Sequence, residues 1–461
     1  LHGSLDPVIS APSALRPFYK DGEWIDPLAK GLKKCGVSQT WIDPVLIKCA
    51  TVHFGNLILS NTNNGMKRIL TYEEAIMGTN DAFLDPLNRR SSPGYPWVNL
   101  RKSGTIGKTC WLGDGDYILD NPELKNAVMD RIAQARLGIR RSVYWIDTLK
   151  DERRPLEKVE AGKTRVFAAG SQDYILAFRM YFLAFNAHVM QNMIQNEVAV
   201  GINPYSSDWH RLSKALSVKG DKVVAGDFAN FDGTLNSQIM HSILDLVNEW
   251  YDDGPENCLI RTVLWEDIVS SIHIFRDNLY QWTHSQPSGN PMTVILNSCY
   301  NSISMRVVWL KVMRNTEFGT LKGFSENVSM ISYGDDNVLN ISDQVIHSFN
   351  QVSIGEGYAQ IGMKYTMEDK GESDILYRSL DEVNFLKRSF TWDHEARQFH
   401  GCLDMGVIME MMNWVRGTIN VEESTIENVT VAMHELSLYP EDVYNARMKQ
   451  IQHACRRHLR M

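Results

Sequence analysis

Tyr333-Gly334-Asp335-Asp336 lies between two short alternating runs, Val328-Ser329-Met330-Ile331-Ser332 and Asn337-Val338-Leu339-Asn340-Ile341. A Gly-Asp pair between two such runs predicts a tight β-hairpin with adjacent carboxylates at its tip. Side chains alternate faces along a strand, so tandem Asp decorates a sheet poorly and suits the holding of divalent metal. Alone, the motif reads more readily as a solvated charged turn. Its companions elsewhere in the chain separate the two.

At 461 residues the chain is long enough for about three domains or subdomains. An apolar fraction of 44 % and a charged fraction of 22 % are ordinary for a soluble globular protein. The opening Leu1-His2-Gly3-Ser4 has no signal-peptide pattern, and the missing initiator Met leads us to expect a fragment or processed product. Tyr174 to Met190, the best membrane-span candidate, is short and interrupted by Arg179, so no transmembrane segment is expected. Seven scattered cysteines without a CxxC pair argue against a zinc site or a disulfide scaffold and fit a reducing compartment. The net charge of −8 is a whole-chain sum and does not exclude polyanion binding, which depends on local clustering.

Residues 1 to about 150 read as irregular, rich in Pro, Gly and Trp. Helical spacing predicts a long apolar helix from Tyr174 to Ile194. The middle third alternates strand-like and helix-like stretches, an α+β pattern. The tail is helical in pattern from about Val421, and Glu441 to Leu459 ends in cations that suit a helix C-terminus.

Three further stretches carry chemistry. In Lys222-Val223-Val224-Ala225-Gly226-Asp227-Phe228-Ala229-Asn230-Phe231-Asp232 an apolar strand is expected to end at Asp227, with Asp232 past a turn. Asp227 and Asp335 on neighbouring strands would bracket two divalent ions, the arrangement nucleotidyl transfer needs. Oxygen donors of this kind select Mg²⁺. An ordinary turn or cap Asp is the plainer reading of Asp227.

Between the two Asp motifs, Ser288-Gly289 forms a loop in which Gly tolerates positive φ, and Pro291 fits the first turn of a following helix. Thr293 and Asn297, four apart, share a helical face and would read a sugar hydroxyl with Asp232, unless both are satisfied locally. The third stretch, Lys150 to Arg165, sets Lys158, Lys163 and Arg165 around a Gly turn. It suits a loop over a triphosphate, or else a salt-bridged solvated face.

Taken in order, these blocks resemble the picornavirus-like RNA-dependent RNA polymerases, most of all those of insect picorna-like viruses of the dicistrovirus and iflavirus groups. The resemblance spans about residue 91 to residue 388, and its specificity comes from the order and spacing of the motifs. It implies an α+β closed right hand of fingers, palm and thumb around a ferredoxin-like palm sheet. It makes Asp227 and Asp335 metal ligands and Asp336 an auxiliary acid near the metals. Two Mg²⁺ ions are implied, with Mn²⁺ able to substitute. Asp232, Ser288 and Asn297, with Gly289 and Thr293 in the same motif, would recognise the ribose. Lys150, Arg154, Lys158, Lys163 and Arg165 would cover the nucleoside triphosphate.

Lys370, within the Met363–Lys370 block, stands where the family has a general acid, with Lys364 a weaker candidate; beside Glu368 and Asp369 it also reads as a surface lysine. Phe385-Leu386-Lys387-Arg388 matches a hairpin that grips the primer, and Tyr333 is likewise expected to contact primer or template RNA. Ser91, Ser92, Pro93, Gly94 and Tyr95 match a template-entrance loop. The N-terminal segment departs from the best-known members in having no free N-terminal glycine to support the active site.

The resemblance implies RNA template and primer, NTPs, a small viral protein primer (VPg) and viral replication proteins as partners. It implies host cytoplasm, at membrane-associated replication complexes, as the location. Chain order gives fingers over 1–185 and 235–283, palm over 186–234 and 284–384, and thumb over 385–461. A reverse transcriptase would share the Tyr-x-Asp-Asp turn but usually gates the 2′-hydroxyl with an aromatic; here Asp232 and Asn297 favour recognition. A silent RNA-binding subunit would lack a metal carboxylate or the triphosphate cations, and none is missing. A metal-dependent nuclease leaves Lys158–Arg165 and Ser288–Asn297 unexplained.

Overall fold

A computed structural model describes residues 1–60, 67–368, 374–417 and 420–459. Its organising element is a four-stranded antiparallel sheet ordered Val328–Tyr333, Asp336–Ile341, Lys222–Ala229, Lys364–Met367. In chain order the strand Lys222–Ala229 is followed by the helix Thr293–Val312, then the hairpin, the helix Gln351–Ala359 and the edge strand. With intervening helices set aside, this is the βαββαβ winding of a ferredoxin-like unit. Both faces are covered, which explains why Val223-Val224-Ala225 is continuously apolar. Val224, Leu339 and Met330 point into the main core, while Val223, Ala225 and Val338 pack on Trp209, Phe385 and Phe390.

A second four-stranded sheet, ordered Val166–Ala169, Tyr144–Leu149, Ile272–Phe275, Asn278–Gln281, includes one parallel pair, Tyr144–Leu149 with Ile272–Phe275. Beside it runs the helix Gln172–Gln191, buried on all sides; an element apolar around its whole circumference belongs in a large core. It ends before the predicted Ile194, which takes a left-handed φ of 70°. Its one basic interruption, Arg179, donates to the carbonyls of Ala75 and Asp85, each at 2.6 Å. No helix among the described residues is long and apolar enough to cross a membrane.

The first 150 residues are more regular than their composition predicted. They hold the helices Pro44–Leu59 and Pro122–Arg136, each opened by a side-chain cap, Asp43 or Asn121, and a first-turn proline. Asp-Pro and Asn-Pro were the start signals available in the sequence. At the other end, the helices Met405–Met411, Val421–Leu436 and Glu441–His458 enclose a separate core around Ile408, Met412, Leu436 and Ile451. Leu1 and Leu5 pack against it.

Candidate active site

The hairpin forms as its alternation requires. Tyr333 pairs with Asp336, which leaves Gly334-Asp335 as a two-residue turn, with Gly334 at φ 62°. Gly in the first central position suits the twist of a tight hairpin. The turn is fixed from the helix Thr293–Val312: Gly334 N donates to Ser298 Oγ at 2.8 Å, and Asn301 Nδ2 donates to the carbonyls of Gly334 and Asp335, both at 3.1 Å. On the neighbouring strand Gly226 lies opposite Asn337, which sets Asp227 beside the hairpin tip. That strand runs on to Ala229, beyond the expected end at Asp227, because Lys364–Met367 pairs with its last residues. Gly226 is required here: a Cβ would lie 1.9 Å from the Tyr365 ring.

Past the strand, Asn230 takes a left-handed φ of 59° and starts the one-turn helix Phe231–Thr234, which presents Asp232. Asp232 Oδ1 accepts from Asn297 Nδ2 at 2.8 Å and from Gln286 Nε2 at 3.1 Å. Gln286 also donates to Asn297 Oδ1 and accepts from Asn290 at 2.9 Å. Loss of hydration pushes the Asp232 carboxyl up, against the pull of Asn297 and Gln286.

These groups line one cavity of about 940 Å³. Asp227, Asp335 and Asp336 lie along it with Asp232, Ser288 and Asn297; Arg154, Lys158, Arg165 and Lys387 line it too. Enclosure by the cavity raises the Asp335 carboxyl, and Asp227 and Asp232 raise it further. For Asp336, loss of hydration and then Asp335 and Asp227 push the carboxyl up to about 7, with Lys387 opposing. Asp227, Asp335 and Asp336 therefore repel one another within the cavity.

The description "viral RNA-dependent RNA polymerase" matches residues 33–458. The chain belongs to that family. It is 43 % identical, over 98 % of its length, to the replicase polyprotein of acute bee paralysis virus (strain Rothamsted), and 44 % identical over 96 % to that of cricket paralysis virus. It spans 24 % and 26 % of those two polyproteins, about a quarter of the relatives it matches. The solved Sicinivirus 3Dpol RNA-dependent RNA polymerase superposes with a TM-score of 0.78 at 24 % identity, covering 99 % of this chain and 90 % of that one. The fold is therefore the right-hand polymerase fold, and the family is RNA-directed and depends on divalent metal.

In this polymerase no three His, Cys, Asp or Glu side chains among the described residues close into a metal cage. The donor set nonetheless fits a hard cation. Mg²⁺ is commonly held by one or two carboxylates with substrate phosphate and water completing the shell, and Asp227, Asp335 and Asp336 line one cavity.

Several expected site residues stand outside the cavity lining. Thr293 Oγ1 turns back to the carbonyls of Ser288 at 3.0 Å and Asn290 at 2.9 Å, the local satisfaction its position allowed. Pro291 precedes the helix instead of occupying its first turn, because the helix starts at Thr293. Gly289 has no positive φ; it is needed because a Cβ would sit 1.8 Å from the Ala168 carbonyl oxygen. Lys150 lies 3.5 Å from Glu152, which also grips Arg165. Lys163 is exposed beyond the Gly162 turn. Tyr333 closes the hairpin register and packs against the core.

The Ser91–Tyr95 loop is clamped from two sides. Lys108 Nζ donates to Ser91 Oγ at 2.6 Å, and Gln172 N donates to the Pro93 carbonyl at 2.8 Å. Lys364 is exposed on the edge strand, and Lys370 lies outside the described residues.

Phe385–Arg388 is the expected tight hairpin, with Leu386 and Lys387 both left-handed at φ 53° and 60°. Leu386 and Lys387 line the cavity, whereas Phe385 is buried under the sheet. Arg388 points away, bidentate to Glu435 at 2.8 and 2.7 Å. Removing one partner of a buried pair strands the other charge, at a cost of about 3–5 kcal/mol. Arg388→Ala is therefore expected to lower the melting temperature by at least about 5 °C, read by differential scanning calorimetry; an unchanged melt would show that the pair is not stabilising.

Gln286, Ser298, Asn301 and the cavity-lining Glu368 were not picked out from the sequence. Asn301 falls four residues after Asn297, so the same helical periodicity pointed to it. Gln286, two residues before Ser288, has no spacing signal of its own.

Proposed function

We propose that the cavity carries template-directed transfer of a nucleotide from an NTP to an RNA 3′-hydroxyl, with Asp227 and Asp335 holding two Mg²⁺ ions and Asp336 assisting. The supporting observation is that a strand acid and two hairpin acids, the polar network around Asp232 and three cations of the 153–165 segment face one volume. Bound ions would activate the 3′-hydroxyl and steady the leaving pyrophosphate. The chain's own residues do the rest. Arg154, Lys158 and Arg165 neutralise and orient the triphosphate. The buried Arg154 Nε has no hydrogen-bond partner within the protein, as a group reserved for ligand would. Asp232, Asn297 and Gln286 receive the ribose 2′-hydroxyl, with Ser288 beside them. Lys387 stands where the primer end would approach.

On this reading Lys370 is the general acid, residues 1–185 and 235–283 are fingers, 186–234 and 284–384 palm, and 385–461 thumb. A small viral protein primer, other replication proteins and cytoplasmic membrane-associated complexes complete the proposal.

Asn297→Ala tests it. A site built around a sugar hydroxyl loses selectivity when a reading group is deleted. Preference for ATP over dATP on a homopolymer template is expected to fall about ten- to a hundredfold, with ATP turnover changed much less. Equal loss on both substrates would mean that Asn297 supports the fold and does not read ribose.

A further inference from the structure

Glu410 lies outside the cavity, yet it holds two of the cavity's walls together. It sits on the helix Met405–Met411, whose Val407 and capping residue Asp404 line the cavity. Glu410 is 6 % exposed. It accepts from Ser10 N at 3.1 Å, Ile9 N at 3.3 Å, Asn413 Nδ2 at 2.8 Å, Trp414 Nε1 at 2.9 Å and, at short range, Ser10 Oγ. Its own carbonyl accepts from Arg153 Nη1 at 3.0 Å. Ser10 and Arg153 belong to the two strands of one small sheet, Ser10–Pro12 with Arg153–Pro155, in the register Ser10↔Pro155, Ala11↔Arg154, Pro12↔Arg153. One residue therefore grips both strands, one by side chain and the other by backbone.

The small sheet leads directly to the phosphate-facing cations. Arg154, on its second strand, lines the cavity. Just beyond, Ser13 N donates to the Glu152 carbonyl at 2.9 Å, and the Glu152 carboxylate holds Arg165. From Glu410 the contacts run through Ser10 and the strand pair to Arg154, and through Ser13 and Glu152 to Arg165. Burial opposes charge on Glu410, but its donors outweigh it and hold the carboxyl below the usual range. A carboxylate accepting from backbone N–H groups has no neutral isostere. Gln would turn its NH2 either toward Ile9 N and Asn413 or toward Ser10 N and Trp414, placing donor against donor on one side.

We propose that Glu410 is a positioning residue for nucleotide binding: it latches the C-terminal helical group to the strand pair that aims Arg154 and Arg165 at the triphosphate. The proposal rests on the reading of those cations given above. Small misplacements of positioning groups change rates disproportionately, and here the displaced groups act on substrate binding.

The test is steady-state and single-turnover primer extension by the full chain on a homopolymer template, comparing E410Q, S10A, the double variant and R154A. E410Q is expected to raise the NTP KM about tenfold while kcat and the single-turnover amplitude stay within about twofold. S10A should raise KM by a smaller factor, and the double variant should be no worse than E410Q. A lower amplitude with unchanged KM in E410Q would make Glu410 merely structural and overturn the proposal. If E410Q does not fold, an unchanged KM in S10A overturns it. R154A separates the two ideas. Unchanged KM in R154A refutes the triphosphate reading itself, whereas raised KM in R154A with normal KM in E410Q refutes the latch alone.

Discussion

Asp335→Asn is expected to extend a primer at less than about a thousandth of the wild-type rate, with little change in melting temperature. The two halves of this result come from the same geometry. The turn Gly334-Asp335 is held by Asn301 and Ser298 through backbone atoms, so the amide leaves its conformation intact. The carboxyl is already raised by its enclosure and by Asp227 and Asp232, so a neutral isostere relieves repulsion in the metal-free protein. Activity disappears because an anionic donor to the metal is lost. Gel-resolved extension across a Mg²⁺ series, beside a thermal melt, makes the comparison. Wild-type extension by Asp335→Asn at any Mg²⁺ concentration would remove Asp335 from the metal site.

Gly289→Ala should also lower turnover, less severely and by a steric route. The new methyl would lie 1.8 Å from the Ala168 oxygen and 2.9 Å from its carbonyl carbon. Backbone in a paired strand cannot yield as a side-chain tip can. The loop carrying Ser288 must move off the strand that follows Arg165, and two walls of the cavity separate. Overpacking of this kind costs about 1–3 kcal/mol, and a shift of about 1 Å at a reacting centre lowers turnover about a hundredfold. Single-turnover rate at saturating NTP is the measurement. Unchanged turnover would place the nucleotide away from this contact.

Much of this was legible in the sequence because strands and turns have short-range signatures. The hairpin and its flanking runs emerged with the expected register, since Gly-Asp between alternating residues leaves few alternatives. The cations Arg154, Lys158 and Arg165 reached the cavity, but Lys163, one turn away, did not. Charge pattern alone cannot tell which side of a Gly turn faces inward. Thr293 and Asn297 share a face as their spacing required, yet only Asn297 reaches Asp232, because Thr293 stands at the helix start where free carbonyls claim its hydroxyl. Arg388 had the composition of a nucleic-acid contact, and its partner Glu435 lies 47 residues away, beyond the reach of local pattern. Glu410 and Ser10, 400 residues apart, show the same limit more strongly.

The network of Asp232, Asn297 and Gln286 has one more consequence. Its members bond to one another before any sugar arrives. An incoming 2′-hydroxyl must therefore exchange places with an existing protein contact, and a deoxy-sugar leaves that contact closed with nothing orphaned. The penalty for the wrong sugar is a forfeited gain, smaller than the penalty of stranding a buried group. A polymerase of this design would discriminate by how readily its amides swap partners, so substitutions at Gln286 and Asn290, which set that readiness, would tune sugar choice in either direction.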